Sequence, residues 1–135
     1  MTDSKICVVA IVESKGKIMI GKATNSKLFV VNGWHIPGGK VKNNEGEKAA
    51  LIREIKEETG IEIKINKFLD EKIIFGTNTR VRWYLCSPIS HNLKAGSDLI
   101  EVKFVPKSKV IRVCDPKAIS LWPPKVMTYF NPANP

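Results

Sequence analysis

The segment that decides how this chain is built runs Gly39-Lys40-Val41-Lys42-Asn43-Asn44-Glu45-Gly46-Glu47-Lys48-Ala49-Ala50-Leu51-Ile52-Arg53-Glu54-Ile55-Lys56-Glu57-Glu58-Thr59-Gly60-Ile61. Its spacing predicts a helix from about Glu45 to Thr59, and Gly60 stands where a left-handed C-terminal cap is expected. At about 100° per residue, Glu54 and Glu58 fall one turn apart on one face, with Glu47 close in angle and Glu57 beside them. Leu51, Ile52 and Ile55 form a separate stripe roughly 110° round from Glu54, expected to pack under a sheet. Ala50 is small and near the carboxylate face, which leaves room above it. The helix thus offers one apolar face to bury and one anionic face to present.

Crowded carboxylates repel one another and destabilise a helix by a few tenths of a kcal/mol per like pair. A divalent cation relieves that repulsion. Mg²⁺ takes hard oxygen ligands, keeps several waters and bridges protein carboxylates to substrate phosphates. Ahead of the helix, Pro37-Gly38-Gly39 permits close backbone approach, because glycine has no Cβ. A carbonyl of that turn is placed to complete the coordination. Arg53 lies next to Glu54 and four residues before Glu57, where its fork of donors can orient a carboxylate. Taken alone, Arg-Glu-Ile-Lys-Glu-Glu reads as an ordinary solvated helix face. The wider pattern reverses that reading.

The segment resembles the Nudix box: glycine, five residues, glutamate, seven residues, then Arg-Glu-aliphatic-x-Glu-Glu-x-Gly-aliphatic. Every fixed position is filled, and from average residue usage a chance match at one start point is on the order of 10⁻¹⁰. Trp34-x-x-Pro37-Gly38 also looks like the usual approach to that box. The box covers 23 of the 135 residues; the strands on either side are consistent with it. The resemblance implies an α/β fold, an α/β/α sandwich with a mixed β-sheet, in which the box forms a loop-helix-loop catalytic motif. It implies hydrolysis of a nucleoside diphosphate linked to another moiety, with Mg²⁺ or Mn²⁺ as cofactor. Carried over by position, Glu54, Glu57 and Glu58 are expected as metal ligands, with the carbonyl of Gly38 beside them. Arg53 orients the glutamates, and Glu45 holds the loop by internal hydrogen bonds in a structural role, as Gly39 and Gly60 do within the motif. The expected chemistry is water attack at phosphorus, with the metal neutralising developing charge and lowering the pKa of the water. The general base is either Glu54 or an acid from a later loop, Asp98 or Glu101.

Outward from the box, Ile6-Cys7-Val8-Val9-Ala10-Ile11-Val12 is β-branched and continuous, as a strand buried on both faces should be. Ser14 to Lys17 reads as a turn and Ile18-Met19-Ile20 as the returning strand, followed by a loop to Trp34 and the diglycine. Ile61 to Asn66 and Glu71 to Phe75 look extended. From Arg80 to Ser87 the residues alternate, with Arg80, Arg82 and Tyr84 on one face and Val81, Trp83 and Leu85 on the other. Glu101 to Val105 is a further short strand. Pro123-Pro124 starts a last helix through Phe130, and residues 131–135 read as a flexible tail. A single domain over residues 1–130 is expected.

The chain carries 22 Lys and Arg against 13 Asp and Glu, a formal charge of +9. The lysines are spread from Lys5 to Lys125, a pattern of solubility and of steering phosphorylated ligands more than of a nucleic-acid footprint. The partner expected is a small nucleotide; nucleic acid is not favoured. The longest early apolar run is far short of the roughly 20 residues of a membrane span, and no signal-like segment opens the chain, so a cytoplasmic protein is expected. Cys7, Cys86 and Cys114 are widely separated with no C-x-x-C pair, which fits packing rather than a disulfide framework or zinc site. The oligomeric state is open, a homodimer being compatible.

Substrate-binding candidates are Lys22, for a phosphate, and Trp34, for a base; each has an ordinary alternative, as an exposed lysine and as loop packing. Trp83 falls on an apolar face and is expected in the core. Arg80 and Arg82 either bind substrate or meet solvent. ADP-ribose pyrophosphatases commonly show a proline about fifteen residues beyond the box, where this chain has Gly76, and the Ser-Gln-Pro-Trp mark of NADH pyrophosphatases is absent. A nucleoside triphosphate is therefore the default substrate, with nucleotide sugars, dinucleotides and RNA ends as rivals. A non-catalytic nucleotide-sensing domain fits less well, since such domains usually lose box glutamates.

Overall fold

The apolar run Ile6–Val12 becomes the heart of β1 (Lys5–Ser14). Val8, Ala10 and Val12 are buried on one face, and Cys7, Val9 and Ile11 on the other. A continuous apolar run fits this because neither face meets water. The computed structural model describes residues 5–23, 33–96 and 98–132.

β1 pairs in parallel with β6 (Thr79–Pro88) from Lys5–Thr79 to Val12–Cys86, and β6 pairs antiparallel with β5 (Ile63–Ile73). On its other edge β1 carries β4 (Gly38–Lys40), with Val9 opposite Gly38 and Val8 opposite Gly39. The turn after β1 places Lys15 at φ 53° and Gly16 at φ 77°. Left-handed dihedrals at both central residues match the twist of the strands they join. This turn leads into β2 (Lys17–Ala23), which is flanked by β3 (Gly33–His35) and β7 (Leu99–Pro106), both antiparallel to it. The sheet is therefore mixed, ordered β3-β2-β1-β6-β5 along its main path.

Helix α1 (Glu47–Thr59) covers one face of the sheet, where Leu51 and Ile55 are fully buried against Val8, Ala10, Met19 and Tyr84. Burying each such side chain contributes about 1.5–3 kcal/mol. The opposite face is covered by a 3₁₀ turn (Lys107–Lys109) and by α2 (Val110–Val113), α3 (Pro116–Ile119) and α4 (Pro124–Phe130). There Trp83 meets Trp122 edge-on, at 6.1 Å between ring centres, with Val126 and Phe130 in the same cluster. The result is the expected α/β/α sandwich. Among the described residues no helix is long and apolar enough to cross a membrane. All three cysteines are free and buried.

Several expectations need correction. α1 begins at Glu47 behind an extended Gly46, two residues later than expected, because Glu45 directs its carboxylate to Arg53 and to the Lys42 amide. Ile52 is 42% exposed and lies off the apolar stripe. Ala50, expected to leave open room, is fully buried in the core. The two extended pieces around Asn66 are one strand, β5, whose register shifts near Asn66 and Leu69 bend it past β6. The loop expected between Ile20 and Gly39 contains β3 and β4, while its residues 24–32 lie outside those described. Of the tail, Asn131 closes α4 through its amide to the Met127 carbonyl, and residues 133–135 lie outside the described residues.

Candidate active site

The box folds around one guanidinium. Arg53 Nε donates to Glu45 Oε2 at 2.7 Å and Nη2 to Glu45 Oε1 at 2.9 Å, a two-pronged pair. Nη1 donates to Glu54 Oε1 at 3.0 Å and reaches Glu57 at 3.3 Å, and Nη2 also donates to the Lys40 carbonyl at 3.2 Å. One planar fork thus ties the loop before the helix to two carboxylates on it. These bonds, with the Lys42 amide, hold the Glu45 carboxyl down at about 2. Glu45 thereby links the Lys42 amide of the loop to Arg53 on the helix.

Glu54 and Glu58 face the diglycine. A Cβ on Gly39 would lie 2.2 Å from the Glu54 carboxyl carbon, and one on Gly38 would lie 2.1 Å from the Val8 carbonyl oxygen. A side chain at Gly38 would push β4 off the β1 backbone, and one at Gly39 would displace the Glu54 carboxyl. Gly60 takes φ 80° and closes α1 with its amide on the Lys56 carbonyl, as expected of the cap. Glu58 is 6% exposed, and its Oε1 has no hydrogen-bond partner among the described residues. Desolvation, then the charges of Glu54 and Asp98, push its carboxyl up to about 8, while the Gly38 amide acts in the opposite sense. Burial also raises the Glu54 carboxyl against the pull of Arg53. A buried carboxylate without a partner is costly. The donor chemistry therefore suits a hard divalent cation: clustered carboxylate oxygens, one of them unsatisfied. Among the described residues no three His, Cys, Asp or Glu side chains are gathered closely enough to hold a metal ion by themselves. Glu57 is half exposed and turned toward Arg53.

Of the later acids, the structure brings Asp98 within electrostatic reach of Glu58. Glu101 goes elsewhere: it stands opposite Lys22 in the β2–β7 ladder, on the side of β2 away from α1. Lys22 is also opposite Trp34. Trp34 packs partly against the core, with Lys103 Nζ 4.5 Å above its ring. These two substrate candidates are thus neighbours on β2 and β3.

Two groups of residues escaped sequence reasoning. The first lines a cavity of about 100 Å³ that opens beside Gly38 and Gly39, walled by His35, Ile74, Val81, Trp83 and Trp122. Burial lowers the pKa of His35 and favours its neutral ring. No local pattern gathers these residues, since they come from β3, β6, the β5–β6 turn and the segment before α4. The second is a network on the α1 side of the sheet. Arg82 Nε donates to Glu47 and Nη1 to Glu71 at 2.7 Å; Tyr84 Oη donates to Glu47 at 3.0 Å. The alternation at Arg80, Arg82 and Tyr84 placed them on one face but named no partner.

A family profile described as the NUDIX domain matches residues 1–130. This chain belongs to the NUDIX family. It is 46% identical over 56 residues to an 8-oxo-dGTP diphosphatase of Buchnera aphidicola subsp. Schizaphis graminum, a match covering 42% of each protein. It is 36% identical over 62 residues to the CTP pyrophosphohydrolase of Escherichia coli, covering 46% of this chain and 45% of that protein. The matched stretch thus spans under half the length of these curated relatives. A crystal structure of a NUDIX hydrolase from Nitrosomonas europaea superposes with a TM-score of 0.75 at 18% identity, covering 82% of this chain and 61% of that one. That likeness is one of fold. The NUDIX fold accounts for the sandwich and for the place of α1 within it.

Proposed function

We propose that this NUDIX protein is a metal-dependent pyrophosphohydrolase that cleaves a phosphoanhydride bond in a nucleoside triphosphate. The single observation that carries the reading is the buried Glu58 carboxyl, without a partner at Oε1 among the described residues and within the field of Glu54 beside a diglycine strand. Glu54, Glu57 and Glu58, with the Gly38 carbonyl, would hold Mg²⁺ or Mn²⁺. When bound, such an ion supplies charge neutralisation at the phosphates and acidifies water. Arg53 keeps Glu54 and Glu57 in place from the outer side. Asp98 accepts the proton of the attacking water; it is preferred to Glu101 because it alone of the two acts on Glu58. As water oxygen bonds to phosphorus, the bridging P–O bond breaks and its electrons leave with the departing phosphate or pyrophosphate.

The cavity beside Gly38 and Gly39 is apolar and lined by Trp83 and Trp122, a suitable slot for a nucleobase ring. Lys22, opposite Trp34 on β3 and Glu101 on β7, is the candidate for a phosphate contact on that side of β2. The two curated relatives are named for 8-oxo-dGTP and CTP, which favours a nucleoside triphosphate over nucleotide sugars or dinucleotides. The test is a panel of nucleoside triphosphates, nucleotide sugars and dinucleotides with Mg²⁺, Mn²⁺ or chelator, products being identified as phosphate, pyrophosphate or monophosphate. We expect monophosphate and pyrophosphate from a triphosphate, only with metal, and at least a tenfold loss in Asp98→Asn with Glu101→Gln near wild type. If no pyrophosphate compound is cleaved with either ion, the reading falls; equal losses in the two acid variants would remove Asp98 from its role.

A further inference from the structure

Helix α1 carries three acids on one stripe. Glu47 is its first residue, and Glu54 and Glu58, seven and eleven residues later, lie within about 20° of it around the axis. Whatever fixes Glu47 therefore sets the rotation at which Glu54 and Glu58 meet the diglycine strand. That holder belongs to the sheet. Glu47 Oε1 accepts from both Arg82 Nε and Tyr84 Oη, two residues of β6. Arg82 is itself held: Nη1 is bound to Glu71 on β5, and its guanidinium lies 4.4 Å from the centre of the Phe68 ring. Arg80 adds a looser contact to Glu71 at 3.9 Å. Side-chain exposures of 25% for Arg82 and 29% for Glu47 mean that water screens this pair only in part.

Resting on the hydrolase reading above, we propose that Arg82 is a positioning residue for the metal-binding face of α1, acting through Glu47. Arg53 fixes the middle of the helix from the loop side, through Glu45 and the Lys40 carbonyl. Arg82 fixes its first turn from the sheet side. With both anchors in place the stripe can neither roll nor slide along β4. Without Arg82, Glu47 loses its charge partner on the sheet, and through this carboxylate the first turn of α1 is tied to β6 by Tyr84 alone.

The test is Mn²⁺ affinity of Glu47→Ala, Glu47→Gln and Arg82→Ala, read from the paramagnetic signal of free Mn²⁺, with thermal melting in chelator and kcat and KM at saturating metal alongside. Loss of an outer support of metal ligands costs about 10–100-fold, and we expect the lower end, about tenfold weaker Mn²⁺ binding, in Glu47→Ala and Arg82→Ala. Glu47→Gln retains an oxygen that accepts both bonds and should stay within about twofold. The double variant Glu47→Ala/Arg82→Ala should be no weaker than Arg82→Ala alone, since the two act as one unit. Alanine is well tolerated in helices, so Glu47→Ala keeps the test open if Arg82→Ala does not fold. Variants that melt earlier but bind Mn²⁺ as wild type does would overturn the proposal. Wild-type protein that binds no Mn²⁺ would instead overturn the hydrolase reading on which it rests.

Discussion

Arg53 and Arg82 do similar work on opposite sides of one helix, yet only one of them is recognisable in the sequence. Both hold carboxylates from two elements. Arg53 finds its partners within thirteen residues, so its role is written as a spacing: loop glutamate, arginine, then glutamates on the next turn. Arg82 reaches Glu47 across 35 residues and Glu71 across a hairpin, and only the register of β5 on β6 shows why it is there. The first arrangement can be read as a motif; the second exists only once the sheet has formed. Glu58 completes the contrast, since neither arginine reaches it.

That contrast predicts the largest effect at Glu58. Glu58→Gln should lower kcat on the order of a thousandfold, while melting in chelator is unchanged or improved. The sign follows from its raised carboxyl: folded protein holds the proton up to about pH 8 against 4.5 when unfolded. The metal-free fold therefore has this contribution in full below about pH 4.5, loses it progressively as pH rises to about 8, and levels off above that. Glu58→Gln escapes that loss, so its advantage in melting temperature should be greatest above pH 8. A variant that keeps near wild-type turnover would remove Glu58 from the site.

Next in size is Arg53→Ala, which releases Glu45, Glu54 and Glu57 together and should cost about 100-fold in activity. It should exceed the loss in Arg82→Ala measured side by side; the reverse order would mean that the sheet-side anchor dominates. The smallest effect is an acid limb of stability. Glu45 has a carboxyl lowered from 4.5 to about 2, so its contribution is complete above about 4.5 and disappears as pH falls toward 2. Glu45→Gln should flatten the fall in melting temperature over that interval. An unchanged profile would show that the Arg53–Glu45 pair contributes nothing to folding.

The same distinction explains how far the sequence could be read. β1 was legible because a strand buried on both faces needs an unbroken apolar run, and α1 because Leu51, Ile55 and Gly60 mark its buried face and its end. The α/β/α layering followed from the resemblance of the box. β3 and β4 were missed because three residues that pair along a neighbouring strand carry no periodicity of their own. The four-residue α2 and α3 escaped for the same reason. Ile52 was misplaced because helical angle alone does not say where the sheet stops and solvent begins. Lys22, Trp34 and Glu101 are distant along the chain; their alignment in one row across β3, β2 and β7 is a fact of register. Asp98 and Glu101 are three residues apart, but Asp98 precedes β7 and acts on Glu58 while the ladder turns Glu101 to the side of β2 away from α1.

The parallel seam between β1 and β6 has a kinetic consequence. Lys5 must find Thr79 and Val12 must find Cys86, with the whole box lying in the chain between them. Closing so long a loop is slow relative to winding a single helix. During folding, α1 can acquire its turns early while its acidic face still lacks a floor. The pocket around the half-satisfied Glu58 carboxyl is floored by β4 seated on β1, so it exists only once that part of the sheet has formed.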